Sequence, residues 1–154
     1  MQKITDNEAF KKAVKDLDCS RQRPLAALFV ENVLSLSRDE RIPRIIAAAA
    51  AANRPQDELE SALKSANAAI IDAHTRCGAE GNWEDQASYF VARAAAAAVA
   101  PEQKCAGGGV AWQAAVNSRM ARTCVAIDGN NETAIKDESE QEFRILNKFL
   151  NLDS

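Results

Sequence analysis

The chain has 154 residues, a formal net charge of −3 and 27% charged residues, which suits one soluble domain spanning residues 1–154 and argues against disorder. Hydrophobic residues make up 47% but aromatic residues only 5%, because alanine alone accounts for 31 positions. The longest uncharged apolar stretches, residues 45–52 and 94–100, are too short to span a bilayer and the first residues are polar. We therefore expect a cytoplasmic protein with no membrane partner.

Four helices are predicted in the first half of the chain. The sequence TDNE at residues 5–8 has the form of a capping box and opens the first helix. Pro24 lies in the first turn of the second helix, and Pro43 opens the third. Pro55 starts the fourth helix, whose apolar residues recur at three- and four-residue spacing up to an expected stop at Gly78.

Three more helices are predicted in the second half. The sequence NWED at residues 82–85 caps the fifth helix, which ends before Pro101, and three glycines at 107–109 precede the sixth. The acidic run at 137–142 predicts the first turn of the last helix, because carboxylates are favoured at the positive end of the helix dipole. No segment alternates as a strand would. The expected fold is therefore all-α, a single-domain bundle or short stack of about seven helices.

The alanine runs predict alanine-rich close packing. Alanine adds little buried area, but it lets helix backbones approach to the short end of the usual 8–10 Å range. The third and fifth helices carry the longest runs, at residues 45–52 and 94–100. We therefore expect these two helices to form the central, closely packed pair, with the fifth surrounded by neighbours.

Acidic residues are concentrated in two segments, 55–100 and 128–154, each with a net charge of −4. Proteins that bind nucleic acid normally present a basic face, so we expect no nucleic-acid partner. An acidic surface instead complements a basic protein and accelerates its association at low salt. The charge pattern thus favours a protein partner.

Four cysteines stand at widely separated positions with no Cys-x-x-Cys motif: Cys19, Cys77, Cys105 and Cys124. In a cytoplasmic chain this spacing favours free, structural thiols over a disulfide framework. His74 and Cys77 lie three residues apart on one helix face, a spacing that suits a zinc site or a nucleophile–base pair. No further ligands lie nearby. The favoured interpretation is a core cysteine beside a helix-end histidine, with no metal, no cofactor and no catalytic residue.

Two other features are candidate binding sites. Exposed amides at Gly107, Gly108 and Gly109 could cradle an anion at a helix start, but no strand precedes them and the pattern is not a P-loop, which favours a simple connection. Trp83 begins a helix beside three carboxylates, those of Glu80, Glu84 and Asp85. A partly exposed tryptophan in that setting is a binding anchor, or it fastens the preceding loop to the core.

The chain resembles a family of alanine-rich, all-helical immunity proteins of bacterial toxin–immunity systems. The resemblance is carried by RPLAALFVENVL at residues 23–34, DERIPRIIA at 39–47 and the alanine-patterned helices at 65–73 and 92–100. It covers roughly residues 20–100. It implies a non-enzymatic, cytoplasmic protein that binds and blocks a toxin, and it transfers no catalytic residues.

Three hypotheses remain open on the sequence alone. The first is a helical binding protein whose partner is a protein, such as a basic toxin. The second is a small-molecule or cofactor-binding bundle with a cavity near His74 and Cys77 or at the glycine loop. The third is a bundle that associates with itself, for example as a homodimer, since alanine faces pack readily.

Overall fold

The computed structural model of the protein describes residues 2–51, 54–80, 82–106, 109–128 and 133–152, without the side chains of 77–80, 127 and 128. These residues form eight α-helices and no strand, which confirms the all-α prediction. The helices are α1 (Asn7–Asp16), α2 (Cys19–Glu31), α3 (Arg41–Ala50), α4 (Gln56–Glu80), α5 (Trp83–Ala98), α6 (Gln103–Ala106), α7 (Val110–Asp128) and α8 (Ala134–Phe149), with a 3₁₀ turn at Leu34–Leu36. Within the described ranges, none of these helices has the length and apolarity needed to cross a membrane.

Three helices begin where a side chain caps the first turn. In each case a carboxylate or amide oxygen accepts a hydrogen bond from a backbone N–H that has no partner within the helix. The pairs are Asp6 with Ala9 at 2.8 Å, Asp18 with Arg21 at 3.0 Å and Asn82 with Asp85 at 2.8 Å. The predicted start of the fifth helix is thus confirmed, whereas the first helix is capped by Asp6 rather than by Thr5.

Several helix boundaries differ from the predictions. Helix α2 begins at Cys19, so Pro24 is its sixth residue and does not lie in its first turn, and α3 begins at Arg41, two residues before Pro43.

Helix α4 runs through Gly78 to Glu80, because one glycine in a long helix costs only about 1 kcal/mol relative to alanine. Helix α8 begins at Ala134, so the acidic run lies beyond its first residues and is not simply an exposed first turn. Glu138 and Glu142 are fully buried. The interpretation of this run as a dipole effect is therefore wrong for these two residues.

Helix α5 lies at the centre of the fold, as expected, but its main partner is not the predicted one. It packs most extensively on α7 and next on α4, and it meets α3 at few positions. Both α5 and α7 present buried small residues to the core, which allows their backbones to come close. On α5 these are Ala87, Ala94, Ala95 and Ala98, and on α7 they are Ala111, Ala114, Ala115 and Ala121.

Enlarging a side chain on this close-packed face is expected to destabilise the fold. Ala94 is fully buried, so Ala94→Leu should lower the free energy of unfolding by about 1–3 kcal/mol through overpacking. Ala68 is exposed on α4, and Ala68→Leu should change stability by less than about 0.5 kcal/mol. Urea unfolding of both variants measures the difference. Equal stabilities would mean that the small residues of α5 are not required for its packing.

Cys19 and Cys105 form a disulfide that joins the first turn of α2 to α6. The expectation of free thiols is therefore wrong for this pair, since residues 86 apart in sequence are neighbours in the fold. Cys124 is buried, and the side chain of Cys77 lies outside the described residues. Disulfides persist mainly in oxidising compartments, and a cytoplasmic location stays a prediction.

Candidate binding clefts

An open cleft of about 530 Å³ lies where the 3₁₀ turn, the end of α4 and the start of α5 come together. We call it the Trp83 cleft. Its lining is mixed, with carboxylates, guanidinium groups, hydroxyls and three larger apolar side chains. The residues are Ser35, Leu36, Arg38, Asp39, Arg76, Trp83, Glu84, Asp85, Ser88 and Val125.

The wall formed by residues 37–40 is held rigidly by Asp39. Its carboxylate accepts hydrogen bonds from Arg41 Nε at 2.9 Å and Arg41 Nη2 at 2.7 Å. The same Nη2 reaches Asp72 of α4 at 2.9 Å. These bonds from Arg41 hold the pKa of Asp39 below its usual value, so this carboxylate is ionised and already paired.

The opposite wall is the start of α5. Asn82 caps the helix, and Arg76 Nε of α4 donates to Asp85 Oδ1 at 3.3 Å, which fixes the end of α4 against this turn. The hydroxyl groups of Ser37 and Ser88 lie 3.1 Å apart and connect the two walls. The cleft therefore has a defined shape before any ligand binds.

Two charged side chains in this lining have no ion pair with the described residues: Glu84 on α5 and Arg38 on the loop before α3. Glu84 follows Trp83 directly, and Trp83 is half-buried.

The sequence prediction of a partly buried tryptophan is confirmed, and the structure brings Trp83, Glu84 and Asp85 together as expected. The other charged residues of the lining are Arg38, Asp39 and Arg76. The sequence analysis missed them because they come from other parts of the chain.

A second cleft of about 350 Å³ lies between α4, α5 and the start of α7, and we call it the Lys104 cleft. Its floor is made of alanine and branched aliphatic side chains. Among the described residues of the lining, Arg93 and Lys104 are the charged ones, and both are cations. The complete lining is Ile70, Arg93, Ala96, Ala97, Ala100, Lys104, Gly109, Val110, Gln113 and Asn117.

Gly109 is the one residue of the predicted glycine loop that lies within the described residues, and it borders the Lys104 cleft. Its φ is +86°, which strains any residue with a side chain, and an added Cβ would lie 2.8 Å from Gln22 Oε1. Its N–H donates to the carbonyl of Lys104 at 3.2 Å. A glycine is thus required here to close the backbone between α6 and α7. Gly107 and Gly108 lie outside the described residues.

The remaining predicted site residues form no site within the described structure. His74 is exposed on α4, packs on the Tyr89 ring with centroids 5.7 Å apart, and lines neither cleft. The side chains of Cys77 and Glu80 lie outside the described residues. In the described part of the chain, no three His, Cys, Asp or Glu side chains are grouped so that they could hold a metal ion.

Two buried glutamates of α8 form a hydrogen-bonded network with arginines of α7 that the sequence did not reveal. Arg119 Nε donates to Glu142 Oε1 at 2.6 Å, and both residues are buried. The Arg119 guanidinium lies 5.3 Å from the Phe10 ring centroid and 5.5 Å from that of Trp112. Cation–π contacts therefore replace part of the hydration that this cation loses.

The other half of the network joins α8 to the end of α2. The Glu138 carboxylate accepts hydrogen bonds from Asn32 Nδ2 at 2.9 Å and 3.1 Å and from Arg122 Nε at 3.4 Å. Burial raises the pKa of Glu138 and raises that of Glu142 to about 8, in spite of the nearby arginines. None of these groups lines either cleft, so the network is a structural element that fastens α8.

Comparisons with models of known protein families, with curated proteins and with solved structures find nothing that matches this chain. The functional proposal therefore depends on the two clefts and on the sequence pattern.

Proposed function

We propose that this chain is a non-enzymatic binding protein that holds a basic segment of a protein partner in the Trp83 cleft, and that the partner is a toxin which it neutralises. The observation that carries the proposal is the half-buried Trp83 beside the carboxylate of Glu84, which has no ion pair with the described residues, in a cleft of defined shape. Tryptophan is enriched among the residues that dominate protein–protein binding energy. The resemblance to alanine-rich immunity proteins supports the choice of a toxin as the partner.

The charges of the cleft favour a lysine or arginine side chain as the group that enters it. Asp39 and Asp85 are already bonded to Arg41 and Arg76, which leaves Glu84 to pair with an incoming cation. The indole ring of Trp83 adds a face that attracts cations. An adjacent carboxylate or carbonyl of the partner would meet Arg38, which restricts how a basic segment lies in the cleft.

A binding role also fits the chemistry of the lining. The hydroxyl nucleophiles available in the cleft are Ser35 and Ser88. A serine nucleophile needs an adjacent general base, and the single histidine of the chain, His74, is not among the residues that line the cleft. The residues favour recognition over acyl transfer.

The proposal predicts that Trp83→Ala abolishes neutralisation. Each protein encoded next to the gene for this chain is expressed in a bacterial host with and without the chain. One of these proteins is expected to stop growth when it is expressed alone but not when it is expressed together with the parent chain. Trp83→Ala should weaken the binding of the chain to this protein about tenfold or more. Ile71 is a matched control, because it is a large apolar residue of α4 that is 64% exposed and lies outside the cleft.

Ile71→Ala should protect like the parent, and both variants should unfold at the parental temperature. Glu84→Gln should slow association mainly at low salt, because it removes the charge that steers a basic partner. The toxin proposal fails if no neighbouring protein is toxic or bound. The cleft proposal fails if Trp83→Ala binds as tightly as the parent.

A further inference from the structure

We infer that the Lys104 cleft binds a small aliphatic carboxylate, with the carboxylate at Lys104 and the hydrocarbon on the alanine floor. This site is separate from the Trp83 cleft and does not depend on the proposed function. Its volume of about 350 Å³ lies within the range of roughly 300–1,000 Å³ that is typical of small-molecule sites.

The charges that line the cleft favour a negatively charged ligand. The chain carries a net charge of −3, yet the described lining of this cleft contains two cations and no carboxylate. Lys104 is exposed and forms no ion pair with the described residues, so its ammonium is available to a ligand. Arg93 is the second cation of the lining, but its guanidinium lies over the Tyr89 ring, 5.7 Å from the centroid, and its Nη1 donates to the Tyr89 hydroxyl at 3.5 Å.

The floor of the cleft favours a ligand with an apolar hydrocarbon part. Ile70, Ala96 and Ala97 are only half-buried, which leaves apolar surface in the cleft that a hydrocarbon would cover. Asn117 is buried at the side, and its amide nitrogen donates to the Gln113 carbonyl at 2.9 Å, which uses one of its two N–H groups. A ligand with one anionic end and a short alkyl chain matches this lining.

The segment that carries Lys104 is held in place by three connections. The disulfide of the next residue, Cys105, ties α6 to α2. Gln22 Nε2 donates to the Cys105 carbonyl at 3.3 Å, and the Gly109 N–H donates to the carbonyl of Lys104. The backbone beside the cleft is therefore set before a ligand arrives, which reduces the entropy lost on binding.

The test uses octanoate as the probe, with titration calorimetry and backbone amide NMR on the full chain. Octanoate is expected to bind and to shift the amide signals of Val110 and Gln113. Lys104→Glu should weaken this binding about tenfold or more, because a charge-assisted hydrogen bond is replaced by repulsion. Lys64→Glu makes the same charge change at an exposed position of α4 outside the cleft and should bind like the parent.

A second variant tests the apolar floor without changing charge. Ala97→Phe fills the cleft and should also abolish octanoate binding, while the unfolding temperature shows whether the variant remains folded. Three further probes separate the contributions of charge and hydrocarbon. The inference is overturned if octanol or octyltrimethylammonium binds as well as octanoate, if inorganic phosphate binds as well, or if Lys104→Glu keeps the parental affinity.

Discussion

Replacing both Cys19 and Cys105 by serine should lower the free energy of unfolding by about 4–5 kcal/mol. The bond closes a loop between residues 86 apart, and chain-entropy estimates for loops of that length give this magnitude. For a domain of this size such a loss lowers the midpoint of thermal unfolding by roughly 10–20 °C. Calorimetry of the parent and of the double variant, both without reductant, measures the change.

Reductant provides the control for this prediction. It should destabilise the parent to about the level of the double variant and leave the double variant unchanged. Cys124→Ala leaves Cys19 and Cys105 in place, so reductant should destabilise this variant as well. Thiol titration of the unreduced, unfolded parent should find at most two of the four cysteines reactive. Four reactive thiols would contradict the pairing.

The fold class and most helix starts were predictable because their causes are local. Asn82 stands at a fixed spacing before the N–H group that it caps, and Pro55 precedes α4 by one residue. Such signals need no knowledge of the rest of the chain. The continuation of α4 beyond Gly78 was missed, since the packing of a long helix outweighs the preference of one residue.

The sequence did not predict which helices pack against each other. Alanine looks alike on every helix, so the sequence does not distinguish α7 from α3 as the neighbour of α5. The disulfide was missed for a related reason, since sequence spacing does not show that α6 returns to the start of α2. Long-range pairing is set by the whole packing arrangement, which no local pattern encodes.

Some residues of the candidate site could likewise be predicted from the sequence, and others could not. Trp83, Glu84 and Asp85 are consecutive, and their grouping was evident in the sequence. Arg38 and Arg76 reach the same cleft from a loop and from α4, which only the tertiary structure shows. The buried glutamates were assigned to the first turn of a helix, because an acidic run does not show which of its members face inward, although Glu138 and Glu142 stand one helical turn apart.

The pH dependence of stability is the second large expected effect, and it comes from Glu142. Burial raises the pKa of Glu142 from 4.5 in the unfolded chain to about 8 in the fold. Between these values the folded state holds more protons than the unfolded state, so the free energy of unfolding falls as pH rises. The change amounts to at most about 5 kcal/mol between pH 4.5 and 8. Glu138 acts in the same direction, since burial also raises its pKa.

Asp39 acts in the opposite direction and at lower pH. Its pKa is lowered by the hydrogen bonds from Arg41, so the stability that it contributes is present above about pH 3.8 and is lost as pH falls further. Stability should therefore be greatest near pH 4–5. Urea unfolding at a series of pH values from 3 to 9 measures the profile.

Glu142→Gln tests whether Glu142 causes the fall in stability between pH 5 and 8. The amide oxygen can still accept the hydrogen bond from Arg119 Nε, but the side chain no longer titrates. The fall in stability between pH 5 and 8 should become much shallower. Glu140→Gln, on the same helix but outside the buried network, should keep the parental slope. A parental profile that is flat between pH 5 and 8, and that Glu142→Gln leaves unchanged, would mean that Arg119 keeps the carboxylate ionised in the fold and that burial is the weaker influence.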